Sequence, residues 1–130
     1  MMKYNFIKGK LYTRKSIFQI IDLPLEKQKG GNWFTGYTSY NNDNFLFVNL
    51  GKGRTGHNHS NKLNGKCLDW YGKLDSKLTH PSIQRMVSAV GYNYFFVRED
   101  SNDPHFKFMG KGIVQQVFNE IPVRILWHIE

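Results

Sequence analysis

The chain has 130 residues, a common size for one folded domain, so we expect a single domain spanning residues 1–130. Apolar residues make up 40% of it and aromatic residues 15%, which excludes a disordered polar chain. No window approaches the roughly 20 apolar residues of a membrane span, and the single cysteine, Cys67, excludes an internal disulfide and fits a reducing compartment. We therefore expect a soluble, cytoplasmic protein with no membrane partner.

The formal net charge is +8, which creates a field that attracts polyanions. Much of the excess lies between residues 52 and 77, where six basic side chains accompany only two acids, Asp69 and Asp75. A net positive charge by itself is also consistent with a surface that only keeps the protein soluble. The residues between the cations are therefore needed to decide between solubility and the binding of a polyanion. The six basic residues are Lys52, Arg54, Lys62, Lys66, Lys73 and Lys77.

The first predicted element is a short amphipathic helix within residues 12–24. Thr13 is a suitable N-cap, three isoleucines fall on one face, and Pro24 ends the helix. The isoleucines are Ile17, Ile20 and Ile21.

A β-hairpin is predicted next, with aromatic and β-branched strands at residues 32–40 and 45–50 around an asparagine-rich turn at 41–44. Residues 51–66 are too long and too polar for a tight turn, so we interpret them as a functional loop.

The second half predicts a strand at residues 67–71, a second helix at 81–90 with Pro81 near its first position, and further strands. About six strands and two helices, without regular alternation, predict an α+β fold. We expect a curved, mainly antiparallel sheet or a half-open β-barrel. The later strands are predicted at residues 92–98, 106–110, 113–118 and 123–129.

Residues 30–37 combine glycines with aromatic side chains, so the backbone can approach a ligand while flat rings offer stacking faces. Trp33 and Tyr37 are the candidate stacking residues, and Asn32 and Thr35 add polar groups for a base edge or a phosphate. The alternative is that Trp33 fills the core.

The glycine-rich residues 51–61 suit phosphate contacts through Lys52, Arg54 and Thr55. His57 and Asn58 are candidate polar contacts. The segment lacks the terminal Gly-Lys-Ser/Thr of a nucleotide-hydrolysing loop.

The pair His57 and His59 also suggests a small metal-dependent nuclease. Such a site needs further well-spaced ligands, and only His80 follows nearby. We therefore predict no catalytic residue, no metal ligand and no cofactor.

Residues 68–76 place two aromatic residues next to each other in a strand, so only one of Trp70 and Tyr71 can face the core. The other is available to stack on a base. Asp69, Lys73 and Ser76 are neighbours that can hold the DNA backbone.

Together these segments resemble the SRA-like, PUA-like target-recognition domains found at the ends of helicase-type nucleases and beside HNH nuclease domains. The resemblance implies DNA recognition, in some members of a modified base flipped into an aromatic pocket, and it singles out Gly31, Arg54, Trp70, Tyr71 and Lys73. The sequence departs from the family pattern at His57 and Asn58, and we expect a module without an attached nuclease or helicase. The matching segments lie at 12–14, 30–31, 45–48, 51–61, 70–73, 95–98, 106–110, 122–123 and at Trp127.

The sequence thus predicts a DNA-binding recognition module associated with restriction or anti-restriction, with a nuclease or helicase subunit as a further partner. Phosphate contacts are expected from the six basic residues between 52 and 77, and stacking from Trp33, Tyr37, Trp70 and Tyr71. Two alternatives stay open at this stage. One is the small nuclease, and the other is a basic protein-interaction or inhibitor module.

Overall fold

The computed structural model describes residues 4–29, 31–50, 61–88 and 91–130. A short strand, β1 (Leu11–Thr13), leads directly into helix α1 (Arg14–Ile21). The Thr13 hydroxyl accepts a hydrogen bond from the Ser16 amide at 3.1 Å, and the Ser16 hydroxyl accepts one from the Thr13 amide at 2.9 Å. This reciprocal cap satisfies two amides at the helix start, so the predicted N-cap is confirmed.

The buried face of α1 differs slightly from the predicted one. Ile17, Phe18 and Ile21 are buried, whereas Ile20 is 37% exposed. The helix ends at Asp22, which adopts a left-handed conformation before Pro24. Phe18 therefore takes the place predicted for Ile20.

The described residues contain eight strands and two α-helices, so the predicted α+β class is confirmed and the count of about six strands is wrong. Strands β1 and β4 were not predicted because three residues are too few to show a periodic pattern. The remaining elements are two 3-10 helices (Leu25–Lys27 and Gly31–Phe34), β2 (Tyr37–Tyr40), β3 (Asp43–Asn49), β4 (Lys62–Asn64), β5 (Cys67–Tyr71), α2 (Pro81–Val87), β6 (Asn93–Arg98), β7 (His105–Phe118) and β8 (Arg124–Ile129).

The strands form one mainly antiparallel sheet in the order β2-β3-β6-β7-β8-β5-β4, and β1 also pairs with β7. The exception is the pair β3 and β6, which is parallel. Among the described residues the edge strands β2 and β4 do not pair with each other, so the sheet is open.

The predicted hairpin is confirmed, and its turn consists of Asn41 and Asn42 between β2 and β3. Both have positive φ angles, 54° and 68°, the conformation that a two-residue hairpin turn requires and that asparagine tolerates well. Residues 32–34, predicted as part of the first strand, instead belong to the second 3-10 helix.

The two central strands β3 and β6 are buried on both faces, which explains their continuous apolar sequences. One face packs against α1 through Phe45, Phe47, Tyr94 and Phe96. The other face packs against α2 and the remaining strands. Its buried residues include Leu46, Val48, Phe95, Val97, Ile83, Met86, Trp70 and Trp127.

The predicted loop at 51–66 ends earlier than expected, because Lys62–Asn64 is strand β4 and pairs with β5. Residues 51–60 lie outside the described residues. The helix predicted over 81–90 is described from Pro81 to Val87. Among the described residues, no helix has the length and apolar character needed to span a membrane.

Candidate nucleic-acid interface

Lys73 lies just after β5 and contacts the segment that leads into β2. Its ammonium donates to Asn32 Oδ1 and to the Tyr37 carbonyl, both at 3.3 Å, and lies 4.4 Å from the centre of the Tyr37 ring. The backbone amide of Lys73 donates to the Tyr37 hydroxyl at 3.3 Å. We refer to Asn32, Tyr37, Lys73 and Ser76 as the Lys73 corner.

The Lys73 ammonium is held by neutral groups. Burial lowers the pKa of Lys73, and no salt bridge among the described residues includes it. Burial also raises the pKa of Tyr37, although hydrogen bonds from Lys73, Ser76 and Ser82 act in the opposite direction. A cation that has lost part of its hydration without gaining a carboxylate favours the approach of an external anion.

Ser76 and Thr35 were both predicted to contact DNA directly, but Ser76 is buried and Thr35 is exposed. Ser76 is buried, and its hydroxyl and carbonyl oxygens both accept from the Val123 amide, at 3.2 and 3.1 Å. Ser76 therefore shapes the turn that carries Lys73, with its side chain turned inward. Thr35 is exposed and donates to the Asn32 carbonyl at 3.4 Å.

The predicted stacking of a base on Trp33, Tyr37 and Trp70 is corrected by the burial of all three rings, with Tyr37 only 5% exposed. Trp33 is 6% exposed and packs against Phe18 and Phe45 on the α1 side of the sheet, each ring centre at 5.3 Å. Trp70 is 3% exposed and belongs to the core on the α2 side, 5.4 Å from the ring of Tyr37. The physical reason is their apolar area, which is more stable in the core than in water.

Tyr71 is the half-buried neighbour of Trp70, as the alternation of strand residues predicts. Its backbone amide donates to Asn61 Oδ1 at 2.8 Å, and the Asn61 amide group donates to the Asn49 carbonyl at 3.1 Å. Asn61 also pairs with Leu50. Leu50 and Asn61, which flank residues 51–60, therefore pair beside Tyr71.

An ion pair lies on the same outward side of β5. Arg124 donates to both carboxylate oxygens of Asp69, at 2.8 and 2.9 Å, and its guanidinium lies 4.4 Å from the centre of the Phe118 ring. The hydrogen bonds to Asp69 raise the pKa of Arg124. Lys62 faces Asp69 across the strands, and Arg124 faces Tyr71. Asp69, predicted to contact DNA, thus orients a cation.

The other predicted basic residues of the described chain, Lys62, Lys66 and Lys77, are exposed. Gly31 has a φ of 67°, a left-handed conformation that suits glycine. Several predicted contacts lie outside the described residues, and so does His59 of the nuclease alternative. These contacts are Lys52, Arg54, Thr55, His57 and Asn58.

Sequence reasoning missed two residues that are not fully buried, Phe34 and Arg124. Phe34 is 47% exposed beside Asn32, and the Arg14 guanidinium lies 5.0 Å from its ring centre. The sequence contained a signal for Phe34. If Trp33 fills the core, the side chain of the next residue in the chain points in another direction and can be exposed. Arg124 had no local signal, since its partner Asp69 is 55 residues away.

Within the described residues, no group of three or more His, Cys, Asp or Glu side chains is arranged to hold a metal ion. A family model described as a domain of unknown function, DUF3427, matches residues 6–124. The chain belongs to the DUF3427 family. The match includes both the Lys73 corner and the outward side of β5 in this DUF3427 domain. No curated protein matches the chain.

Proposed function

We propose that this DUF3427 domain is a non-catalytic DNA-binding recognition module. The observation that carries the proposal is the Lys73 corner, where a partly buried ammonium is held by Asn32 and Tyr37 without a carboxylate. A phosphate oxygen supplies the negative charge that these neutral partners lack. The net charge of +8 attracts the polyanion from a distance.

The exposed cations of the basic stretch between residues 52 and 77 are proposed to follow the phosphate backbone. In the described chain they are Lys62, Lys66 and Lys77, and the proposal extends to Lys52 and Arg54 in segment 51–60. Leu50 and Asn61, the described residues that flank this segment, pair with each other, and Asn61 contacts Tyr71.

Stacking on a base is assigned to the accessible aromatic residues. Tyr71 is half-buried on β5, and Phe34 is 47% exposed next to Asn32. Trp33, Tyr37 and Trp70 support these positions from the core. An aromatic face attached to a rigid strand contributes stacking energy without base-pair specificity.

The resemblance to SRA-like, PUA-like domains supplies the finer part of the proposal. It includes a half-open barrel, recognition of a modified or flipped base, and a cytoplasmic role in restriction or anti-restriction beside a nuclease or helicase subunit. The mainly antiparallel sheet with a helix against each face supports this reading of the element order.

The decisive experiment is a binding titration of the full chain with plain, cytosine-methylated and adenine-methylated duplexes and with single strands, at several salt concentrations. The logarithm of the binding constant is expected to fall linearly with the logarithm of salt, by about 0.9 per phosphate contact on duplex DNA. Lys73→Gln should reduce that slope by about one contact.

Lys107→Gln is the control, because Lys107 is an exposed lysine on β7 that does not belong to the Lys73 corner. A wild-type affinity that does not depend on salt, or equal effects of the two substitutions, would overturn the proposal. A preference for one methylated duplex would support base recognition, and equal binding of all duplexes would contradict it.

A further inference from the structure

A polar cleft opens between the β2–β3 hairpin and α2, at the far end of β2 from the Lys73 corner. Its volume is about 440 Å³, and we refer to it as the hairpin cleft. Three parts of the chain line it, namely the end of the first 3-10 helix, the hairpin and α2. The lining residues are Lys27, Ser39, Tyr40, Asn41, Asn42, Asn44 and Arg85.

The charge of the hairpin cleft has one sign. Lys27 and Arg85 are both exposed cations, and no Asp or Glu is among the described residues that line the cleft. Asp43 is adjacent in sequence, but its carboxylate accepts from the Tyr92 amide and does not line the cleft. Two cations with amide and hydroxyl groups between them form an environment that favours a multiply charged oxyanion.

The walls of the hairpin cleft are held in place by hydrogen bonds. The Asn44 amide group donates to Asn93 Oδ1 at 2.8 Å and lies at 3.5 Å from the Arg85 carbonyl. This contact fixes the backbone of Arg85 against the hairpin. The Lys27 ammonium lies 5.5 Å from the centre of the Tyr40 ring. The Lys27 ammonium and the backbone of Arg85 are therefore positioned before a ligand binds, which lowers the entropy cost of binding.

The position of the cleft relates it to the Lys73 corner. Tyr37 contacts Lys73 at one end of β2, and Tyr40 lines the cleft at the other end. Three strand steps separate them, about 10 Å at roughly 3.4 Å per residue. A DNA strand carries one phosphate per nucleotide, so a strand bound at Lys73 has further phosphates at distances of this order.

We propose that the hairpin cleft is a second phosphate site, in which Lys27 and Arg85 bind a backbone phosphate of the DNA that contacts Lys73. The DNA source of this phosphate rests on the proposed function. The preference for a phosphate group rests on the cleft alone. Asn41 and Asn42 at the hairpin tip provide the neutral donors.

Two measurements separate these parts. The first is an NMR titration with inorganic phosphate that follows the Arg85 Nε–H and the side-chain amides of Asn41 and Asn42. We expect saturable shifts in the wild type that are lost in the double variant Lys27→Gln/Arg85→Gln. The second is the duplex salt titration, in which the double variant should lower the slope by about one phosphate contact and Lys107→Gln by none.

Both substituted residues are exposed, so an unchanged amide spectrum elsewhere verifies folding. Phosphate shifts together with the reduced slope support the proposal. Phosphate shifts with an unchanged slope support the phosphate site and overturn its DNA source. Absence of shifts together with an unchanged slope overturns the site itself. If the wild type does not bind DNA at all, the proposed function fails while the phosphate titration still decides the cleft.

Discussion

Lys73 and Tyr37 contact each other through both backbone and side chain. The Lys73 amide donates to the Tyr37 hydroxyl at 3.3 Å, and the Lys73 ammonium lies 4.4 Å from the centre of the same ring. The backbone contact fixes where Lys73 leaves β5, and the ring provides a desolvated, electron-rich surface for its charge. This geometry leaves the cation ready for an anion from outside.

The protonation of Lys73 predicts a pH dependence of DNA binding. Burial lowers its pKa from 10.5, so Lys73 loses its proton at a lower pH than an exposed lysine does. We expect wild-type affinity to fall by more than that of Lys73→Arg as pH rises toward 10.5, because arginine keeps its charge. Titrations at constant salt check this, and equal losses in both proteins would contradict it.

Tyr37 predicts a pH dependence of stability. Burial raises its pKa above 10.0, so the unfolded chain releases this proton first as pH rises. The stabilising contribution is therefore complete below about pH 10 and is lost as pH rises through the folded pKa.

The measurement is urea unfolding across this pH range. It compares two proteins that both carry Lys73→Arg, one with Tyr37 and one with Tyr37→Phe. That background removes the opposing contribution of Lys73, whose lowered pKa makes stability rise with pH. The alkaline loss of stability should shrink in the phenylalanine variant. An identical loss in both proteins would show that other groups cause it.

The neighbours Trp70 and Tyr71 should separate stability from binding. Trp70 is 3% exposed, so Trp70→Ala should cost about 3–5 kcal/mol of unfolding free energy. Tyr71→Ala should cost about 1 kcal/mol or less of stability and about 1–3 kcal/mol of DNA binding, if its ring stacks on a base. Denaturant unfolding and DNA titration test both, and unchanged binding by Tyr71→Ala would assign stacking elsewhere.

Two glycines with similar backbone angles should respond differently to alanine. Gly31 has a φ of 67° with no atom within 4 Å of an added Cβ, so Gly31→Ala should cost about 1–2 kcal/mol from conformation alone. Gly91 has a φ of 81°, and an added Cβ would lie 1.8 Å from the Asn42 carbonyl oxygen. Gly91→Ala should therefore be the more destabilising in denaturant unfolding, because the hairpin backbone must move. Equal losses of unfolding free energy in the two variants would mean that the hairpin backbone moves away from the added Cβ at little energetic cost.

The local signals of the sequence were sufficient for several elements. Thr13 predicts the start of α1, and the asparagines at 41 and 42 predict the hairpin turn, because capping and turn geometry depend on a few neighbouring residues. The alternation in β5 correctly predicts that only one of Trp70 and Tyr71 faces the core.

The remaining features depend on residues far apart in the sequence. Two strands were predicted at residues 106–110 and 113–118, on either side of Gly110 and Gly112. The structure has one strand there, β7, which contains both glycines. An added Cβ at Gly112 would lie 2.2 Å from the Phe95 ring, so this glycine allows close packing against β6. The parallel pairing of β3 with β6 and the hairpin cleft likewise arise only once the sheet has formed. The number of aromatic residues available for stacking was predicted too high. A tryptophan such as Trp33 can either stack on a ligand or fill the core, and in this fold Trp33 is buried in the core.

A buried amide connects the core to the hairpin cleft, and its removal provides the last test. Asn93 is 6% exposed, accepts from the Asn44 amide group at 2.8 Å, and donates to the Met86 and Gly112 carbonyls at 3.1 and 3.4 Å. Asn93→Ala leaves these buried groups unsatisfied and should cost about 2–3 kcal/mol in urea unfolding, whereas the exposed Asn119→Ala should stay within about 0.5 kcal/mol. Because Asn44 lines the hairpin cleft, Asn93→Ala should also weaken the phosphate shifts there, and shifts equal to those of the wild type would show that the cleft does not depend on this network.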